Sequence, residues 1–214
     1  MMFGPRYIYK CTNCGKLLGR GSLLSGNTFG AMLYSDGKSI APMLQEFPNL
    51  VQCKNCHTFL WLNRLVAEGE YSIEDKQVDP SWKDADPVDF LNIDDYYLAL
   101  DTLTLNKNDE IFIRTRIWWA FNDKIRNGET TFDEDVEQRW KENCNQLIEL
   151  LDPNDLNQNI MIAELYRNLG MFEKCSSIIH AVNKDDLNWI KELFIKECER
   201  ENKYVIHLKR GRFW

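Results

Sequence analysis

The sequence predicts an α+β protein, a small β-rich N-terminal unit followed by an all-α region of about six antiparallel helices. Three observations carry that prediction. Two Cys-x-x-Cys pairs, Cys11/Cys14 and Cys53/Cys56, sit beside short strand-like runs in the first third of the 214-residue chain. From about Ile93 the apolar spacing changes to the three- and four-residue intervals of helices. The charge changes sign as well: residues 1–66 hold seven basic against two acidic residues, net +5, and residues 67–214 hold 19 against 31, net −12. Those limits divide the chain into residues 1–66, an acidic segment 67–93 with Pro80 and Pro87 that reads as a linker, and residues 94–214.

In the first segment Tyr7-Ile8-Tyr9 reads as a strand running into Cys11-Thr12-Asn13-Cys14-Gly15, and Phe59-Leu60-Trp61-Leu62 as a strand leaving Cys53-Lys54-Asn55-Cys56-His57. A two-residue gap lets one tight turn aim both thiolates at a single ion, and two such turns complete a tetrahedron. Cys11, Cys14, Cys53 and Cys56 are therefore the candidate metal ligands. The expected metal is a structural Zn2+, with iron as the alternative for the same ligand type. Between the pairs, residues 29–34 and 39–43 flank Ser35-Asp36-Gly37-Lys38, whose Asp-Gly pair suits a tight primed hairpin turn. On the four cysteines and this hairpin, residues 1–66 resemble a zinc ribbon, in which two metal knuckles clamp a small antiparallel sheet. The 38 residues separating the pairs are long for that family.

The helical region has breaks at 106–108, 127–131, 152–155, Gly170 and 183–185. Thr131 with Glu134 has the pattern of a capping box, and Gly170 stands where a left-handed C-cap belongs. Val136, Trp140, Cys144, Leu147 and Leu151 share one helix face, which must pack inward. Ala163, Tyr166, Gly170, Phe172, Cys175 and Ile179 fall where a tetratricopeptide unit places small, aromatic, turn, aromatic, small and bulky residues, so residues 159–182 resemble one such repeat. Asn159 and Leu187 depart from the repeat at its first aromatic and its terminal proline. The whole resembles bacterial proteins that join a ribbon-like head to helical repeats, a resemblance that implies architecture and no particular activity.

Other motifs have simpler readings. Cys53 to His57 spells a haem-attachment motif, but Cys11/Cys14 would then lack a purpose. Gly37-Lys38-Ser39 is no phosphate loop, because Met32 stands where the first glycine belongs and Pro42 blocks the required helix. Ser25-Gly26-Asn27-Thr28 has the composition of a turn. Trp118 and Trp119, amid Arg114, Arg116, Lys124 and Arg126, invite a stacking site for nucleic acid, yet apolar residues around that helix favour core packing. Cys144, Cys175 and Cys198 read as small core residues, and His180 and His207 have no ligand spacing.

No glycine-framed nucleophile and no helical His pair is present, which argues against an enzyme. The expected function is a non-catalytic adaptor that binds another protein or peptide through its helical surface. Two alternatives are a nucleic-acid-associated factor using Arg6, Lys10, Lys16, Arg20, Lys38, Lys54 and Arg64, and an enzyme with the Ser25 to Thr28 loop in its cleft. An odd count of seven cysteines suits a reducing compartment, and no apolar stretch approaches the length of a membrane span, so the expected location is cytoplasmic.

Overall fold

The computed structural model describes residues 1–72 and 74–209. It is α+β, with ten short strands and seven α-helices among the described residues. The described residues divide into two compact units, residues 1–31 with 41–95, and residues 32–40 with 96–209.

In the first unit, β1 (Met2–Phe3) pairs with β4 (Leu23–Ser25), and β2 (Arg6–Lys10) pairs antiparallel with β3 (Leu17–Arg20) in the register Tyr7 to Arg20 and Lys10 to Leu17. Two further strands, β7 (Leu50–Gln52) and β8 (Phe59–Trp61), form a separate hairpin. Each Cys-x-x-Cys run is the loop of one hairpin, Cys11 to Lys16 between β2 and β3, and Cys53 to Thr58 between β7 and β8. Tyr9, Leu18, Val51, Leu60 and Leu62 bury their side chains in one core together with Cys11 and Cys53.

The segment 67–93, read from sequence as a linker, is part of this sheet. Strand β9 (Gly69–Tyr71) adds antiparallel to β2, and β10 (Asp86–Pro87) adds parallel to β3. Between them α1 (Pro80–Lys83) starts at Asp79, whose side chain accepts from Ser81 N. Its Trp82 ring lies so close to Gly69 that a Cβ there would strike it. Low periodicity and the prolines suggested a linker packing partly on its neighbours, whereas strands of two and three residues at the sheet edges are too short to show any periodicity.

The second unit differs from expectation at its start. Strands β5 (Met32–Leu33) and β6 (Ser39–Ile40) do form a hairpin, but this hairpin belongs with the helices and not with the cysteine loops. Its turn also differs from the expected primed type. Gly37 N donates to Tyr34 O, Tyr34 N donates to Lys38 O, and only Gly37 has a positive φ, +77°, which is a type I turn followed by a glycine bulge. The tail continues this sheet: Ser35 N donates to Ile206 O and Leu208 N to Leu33 O.

Helix α2 (Ile93–Thr102) leads into α3 (Lys107–Arg126), which Asn106 caps through a bond from Asp109 N. Then follow α4 (Glu134–Leu150), α5 (Leu156–Asn168), α6 (Phe172–Ala181) and α7 (Asn188–Glu199). The expected capping box of Thr131 and Glu134 is absent, for α4 begins after Asp133 and Glu134 is already its first residue. Helix α3 packs on α4, α5 on α6, and α6 on α7. Ile113, Ile117, Trp118 and Phe121 of α3 and Trp140, Cys144 and Leu147 of α4 are buried. Ala163, Cys175, Ile179, Phe194 and Cys198 make a second core with Tyr166 and Phe172 against it. Between α5 and α6, Gly170 at φ +76° ends the helix, with Met171 N on Tyr166 O and Gly170 N on Arg167 O.

Candidate metal centre

The two hairpin loops share one backbone pattern. In the first, Gly15 N donates to Cys11 O and Cys11 N to Lys16 O; in the second, His57 N donates to Cys53 O and Cys53 N to Thr58 O. The fifth residue of each loop is left-handed, Gly15 at φ +75° and His57 at +58°. His57 thus occupies the place of a glycine, as an exposed turn residue.

These turns bring four sulfur atoms together. Cys11 Sγ lies 3.6 Å from Cys56 Sγ, and Cys14 Sγ lies 3.6 Å from Cys53 Sγ. All four fall within 4.8 Å of one another. A tetrahedral ion with metal–sulfur bonds near 2.3 Å needs sulfur–sulfur edges of about 3.8 Å. The cluster can therefore hold a metal ion, and its dimensions are compatible with zinc. Each hairpin supplies two sulfurs, one buried (Cys11, Cys53) and one nearer solvent (Cys14, Cys56).

The surroundings favour thiolates unevenly. The Thr58 hydroxyl, 3.3 Å from Cys56 Sγ, holds that thiol down to about 5, and the Asn55 side chain lowers Cys14. Burial instead pushes Cys53 up to about 11. A divalent cation held by the cluster would supply the counter-charge for Cys53 to ionise where it sits.

The same geometry separates the competing motifs. The sulfurs of Cys53 and Cys56 each face a sulfur of the other pair, which is a four-thiol cluster and not a haem-attachment site. Gly37-Lys38-Ser39 lies in the β5–β6 hairpin. In the Ser25 to Thr28 loop, which is exposed, Asn27 Oδ1 accepts from Phe29 N and Ala31 N donates to Thr28 O, ordinary turn bonds.

Several basic residues nominated for nucleic acid have partners within the protein. Arg6 donates to Ala85 O, Arg20 to Pro48 O and Asn49 Oδ1, and Lys16, Lys38 and Lys54 pair with Asp86, Asp123 and Asp89. Arg64 stacks on the Trp61 ring, and Lys10 is exposed. Trp118 is fully buried, its Nε1 donating to Asn168 Oδ1 at 2.8 Å, while Trp119 Nε1 donates to Asp36 O.

A buried polar network in the second unit escapes sequence reading. Glu164 and Arg167 pair inside α5, both fully buried. Ser35 Oγ and Asn168 Nδ2 donate to Glu164, and Arg167 also donates to the carbonyls of Asn202 and Tyr204. Burial pushes the Glu164 carboxyl above its usual value, against the pull of Arg167. Nearby, Asp36 accepts from Arg126 and from Asn122 Nδ2. The only local signal was a Ser-Asp pair in a hairpin turn, and that reads as turn chemistry.

No family model, curated protein or solved structure is significantly similar to the chain. No helix among the described residues is long and apolar enough to cross a membrane.

Proposed function

We propose that Cys11, Cys14, Cys53 and Cys56 hold a structural zinc, and that the protein is a non-catalytic adaptor whose helical unit binds another protein or peptide. The zinc half rests on one observation, the meeting of four sulfurs from two hairpin loops at tetrahedral spacing. Four protein thiolates fill a tetrahedral shell, which leaves no position for substrate or water and suits a structural ion. The hairpins are short, and a structural zinc contributes about 10 to 16 kcal/mol of apparent binding energy in small zinc-folding peptides, enough to decide whether such a unit folds.

The adaptor half is supported by a groove of about 420 Å³ on the helical unit, lined by Ile111, Phe112, Trp119, Leu151, Met161 and Arg116 among others. Apolar and aromatic residues around one arginine have the composition of a protein-binding hot spot. The α5–α6 pair, with Ala163, Cys175 and Ile179 in its core, supports the likeness to tetratricopeptide hairpins, which bind peptides on such surfaces.

Elemental analysis of the purified protein tests the metal. One zinc per chain is expected, lost in Cys11→Ser and Cys53→Ser; stoichiometric iron, or a chain that keeps its far-ultraviolet spectrum and thermal midpoint without any metal, overturns the reading. Affinity capture from native lysate, followed by size exclusion, tests the adaptor. A stoichiometric partner retained by the natural chain and lost in Met161→Asp is expected, and recovery of no partner refutes it.

A further inference from the structure

The helical unit also contains a cavity that neither the metal centre nor the apolar groove involves. Its volume is about 210 Å³. One wall is aromatic. Phe121 stacks on Trp140 at 4.3 Å between centroids, the planes 17° apart, and packs against Phe132 at 4.3 Å and 37°. Phe121 and Trp140 are buried, so this wall is held by the core and stands preformed.

The lining carries two charged groups, Glu137 and Lys203, which pair with each other at 3.3 Å. Asn168 also lines the cavity, but its amide is already engaged by Trp118, Glu164 and Lys203 O. The charged recognition available to a ligand therefore comes to one carboxylate and one ammonium side by side. Their side chains remain 28% and 44% exposed, and an ion pair so open to solvent is weak enough for a ligand to part it. Glu137 keeps a second cation, Lys141 at 3.2 Å, which holds its carboxylate charged and in place.

Size and charge together define the ligand. A cavity of about 150 Å³ lined by apolar side chains accepts a benzene molecule, so this one has room for a single ring and a short arm. A ligand bearing only a carboxylate would meet Glu137, and one bearing only an amine would meet Lys203. A molecule with both charges satisfies both residues and adds no net charge. The geometry points to a binding site for a small zwitterionic aromatic, the chemistry of an aromatic α-amino acid, with its ring on the Phe121, Phe132 and Trp140 wall, its ammonium on Glu137 and its carboxylate on Lys203.

Ligand-observed NMR and calorimetry on the full, metal-loaded chain test this with L-phenylalanine, phenylacetate, 2-phenylethylamine and L-alanine. L-Phenylalanine is expected to saturate the site with a Kd of about 1 mM or tighter, and the other three to bind at least about tenfold more weakly. Lys203→Met and Glu137→Gln each change a partly exposed side chain, and far-ultraviolet circular dichroism verifies that they fold. Each is expected to weaken L-phenylalanine about tenfold. In addition, Lys203→Met should shift the relative affinity of the two single-charge probes toward the amine compared with the natural chain, and Glu137→Gln toward phenylacetate. Absence of saturable L-phenylalanine binding overturns the site. Equal binding of phenylacetate and L-phenylalanine, or unchanged affinity in both folded variants, overturns the assignment of a zwitterion.

Discussion

Asp36 and Arg126 form a buried ion pair across 90 positions of sequence, the carboxylate at 0% and the guanidinium at 6% side-chain exposure. Asp36 also accepts from Asn122 Nδ2 at 2.9 Å and from Lys38 N at 3.1 Å, and Arg126 lies over the Tyr34 ring and reaches Asp123. A residue that looks like a turn former is thus the counter-ion of a helix.

Asp36→Ala should cost about 3 kcal/mol, because Arg126 loses its fully buried partner and keeps only the more exposed Asp123, and Asn122 Nδ2 loses its acceptor. Its neighbour Lys38 pairs with Asp123 near solvent, and Lys38→Ala should cost under about 1 kcal/mol. Urea unfolding followed by far-ultraviolet circular dichroism measures both, and equal losses would sink the distinction.

Gly15 and His57 hold equivalent left-handed positions with different side chains. A Cβ at Gly15 would meet only ordinary contact, 3.5 Å from Lys10 Cε, so Gly15→Ala should cost about 1 kcal/mol from its backbone angle alone. His57 already bears a Cβ there and is exposed, so His57→Ala should fall within about 0.5 kcal/mol of the natural chain. Thermal unfolding with metal present compares them; a large loss from His57→Ala would show that its ring takes part in the centre.

Tyr97 carries a buried hydroxyl with no hydrogen-bond partner among the described residues, and burial pushes its pKa up to about 12. Its ring supports Arg139, 4.1 Å from the centroid. Tyr97→Phe keeps that contact and removes the unsatisfied group, so stability should stay level or rise by up to about 1 kcal/mol. A clear drop in the thermal midpoint would mean that the hydroxyl is satisfied in solution.

The Glu137 carboxyl is held below its ordinary value of 4.5, first by the hydrogen bond from Lys141 and then, against some burial, by Lys203. With the folded value below the unfolded one, its contribution is present above 4.5 and is lost as pH falls through the depressed folded value. The natural chain should exceed Glu137→Gln in stability at neutral pH, by under about 1 kcal/mol for so exposed a pair, and the gap should close in acid. A gap that widens on acidification would reverse the sign.

The four-cysteine cluster was legible because spacing within a five-residue loop is local information, and Cys11, Cys14, Cys53 and Cys56 meet as their pattern suggests. Helical periodicity likewise exposed the buried face of Trp140, Cys144 and Leu147. The hairpin at residues 32–40 was legible as a hairpin, but its company was not. Ser35 is polar, small and flanked by turn residues, and nothing within reach of it in sequence indicates Glu164, 129 positions away. The cavity was hidden for the same reason, since Phe121, Phe132 and Trp140 each look like ordinary core residues until α3, α4 and the loop between them converge.

The early hairpin has a consequence for how the chain acquires its shape. Ser35 Oγ accepts from Ile206 N, a contact spanning 171 positions. During synthesis, residues 32–40 emerge long before α3, α5 and the segment carrying Ile206, so their contacts must be made in stages, first to Arg126 and Asn122 of α3, then to Glu164, and then to Ile206. Closure over so long a loop is entropically costly, so the hairpin's full set of contacts is complete only once the segment carrying Ile206 has joined it.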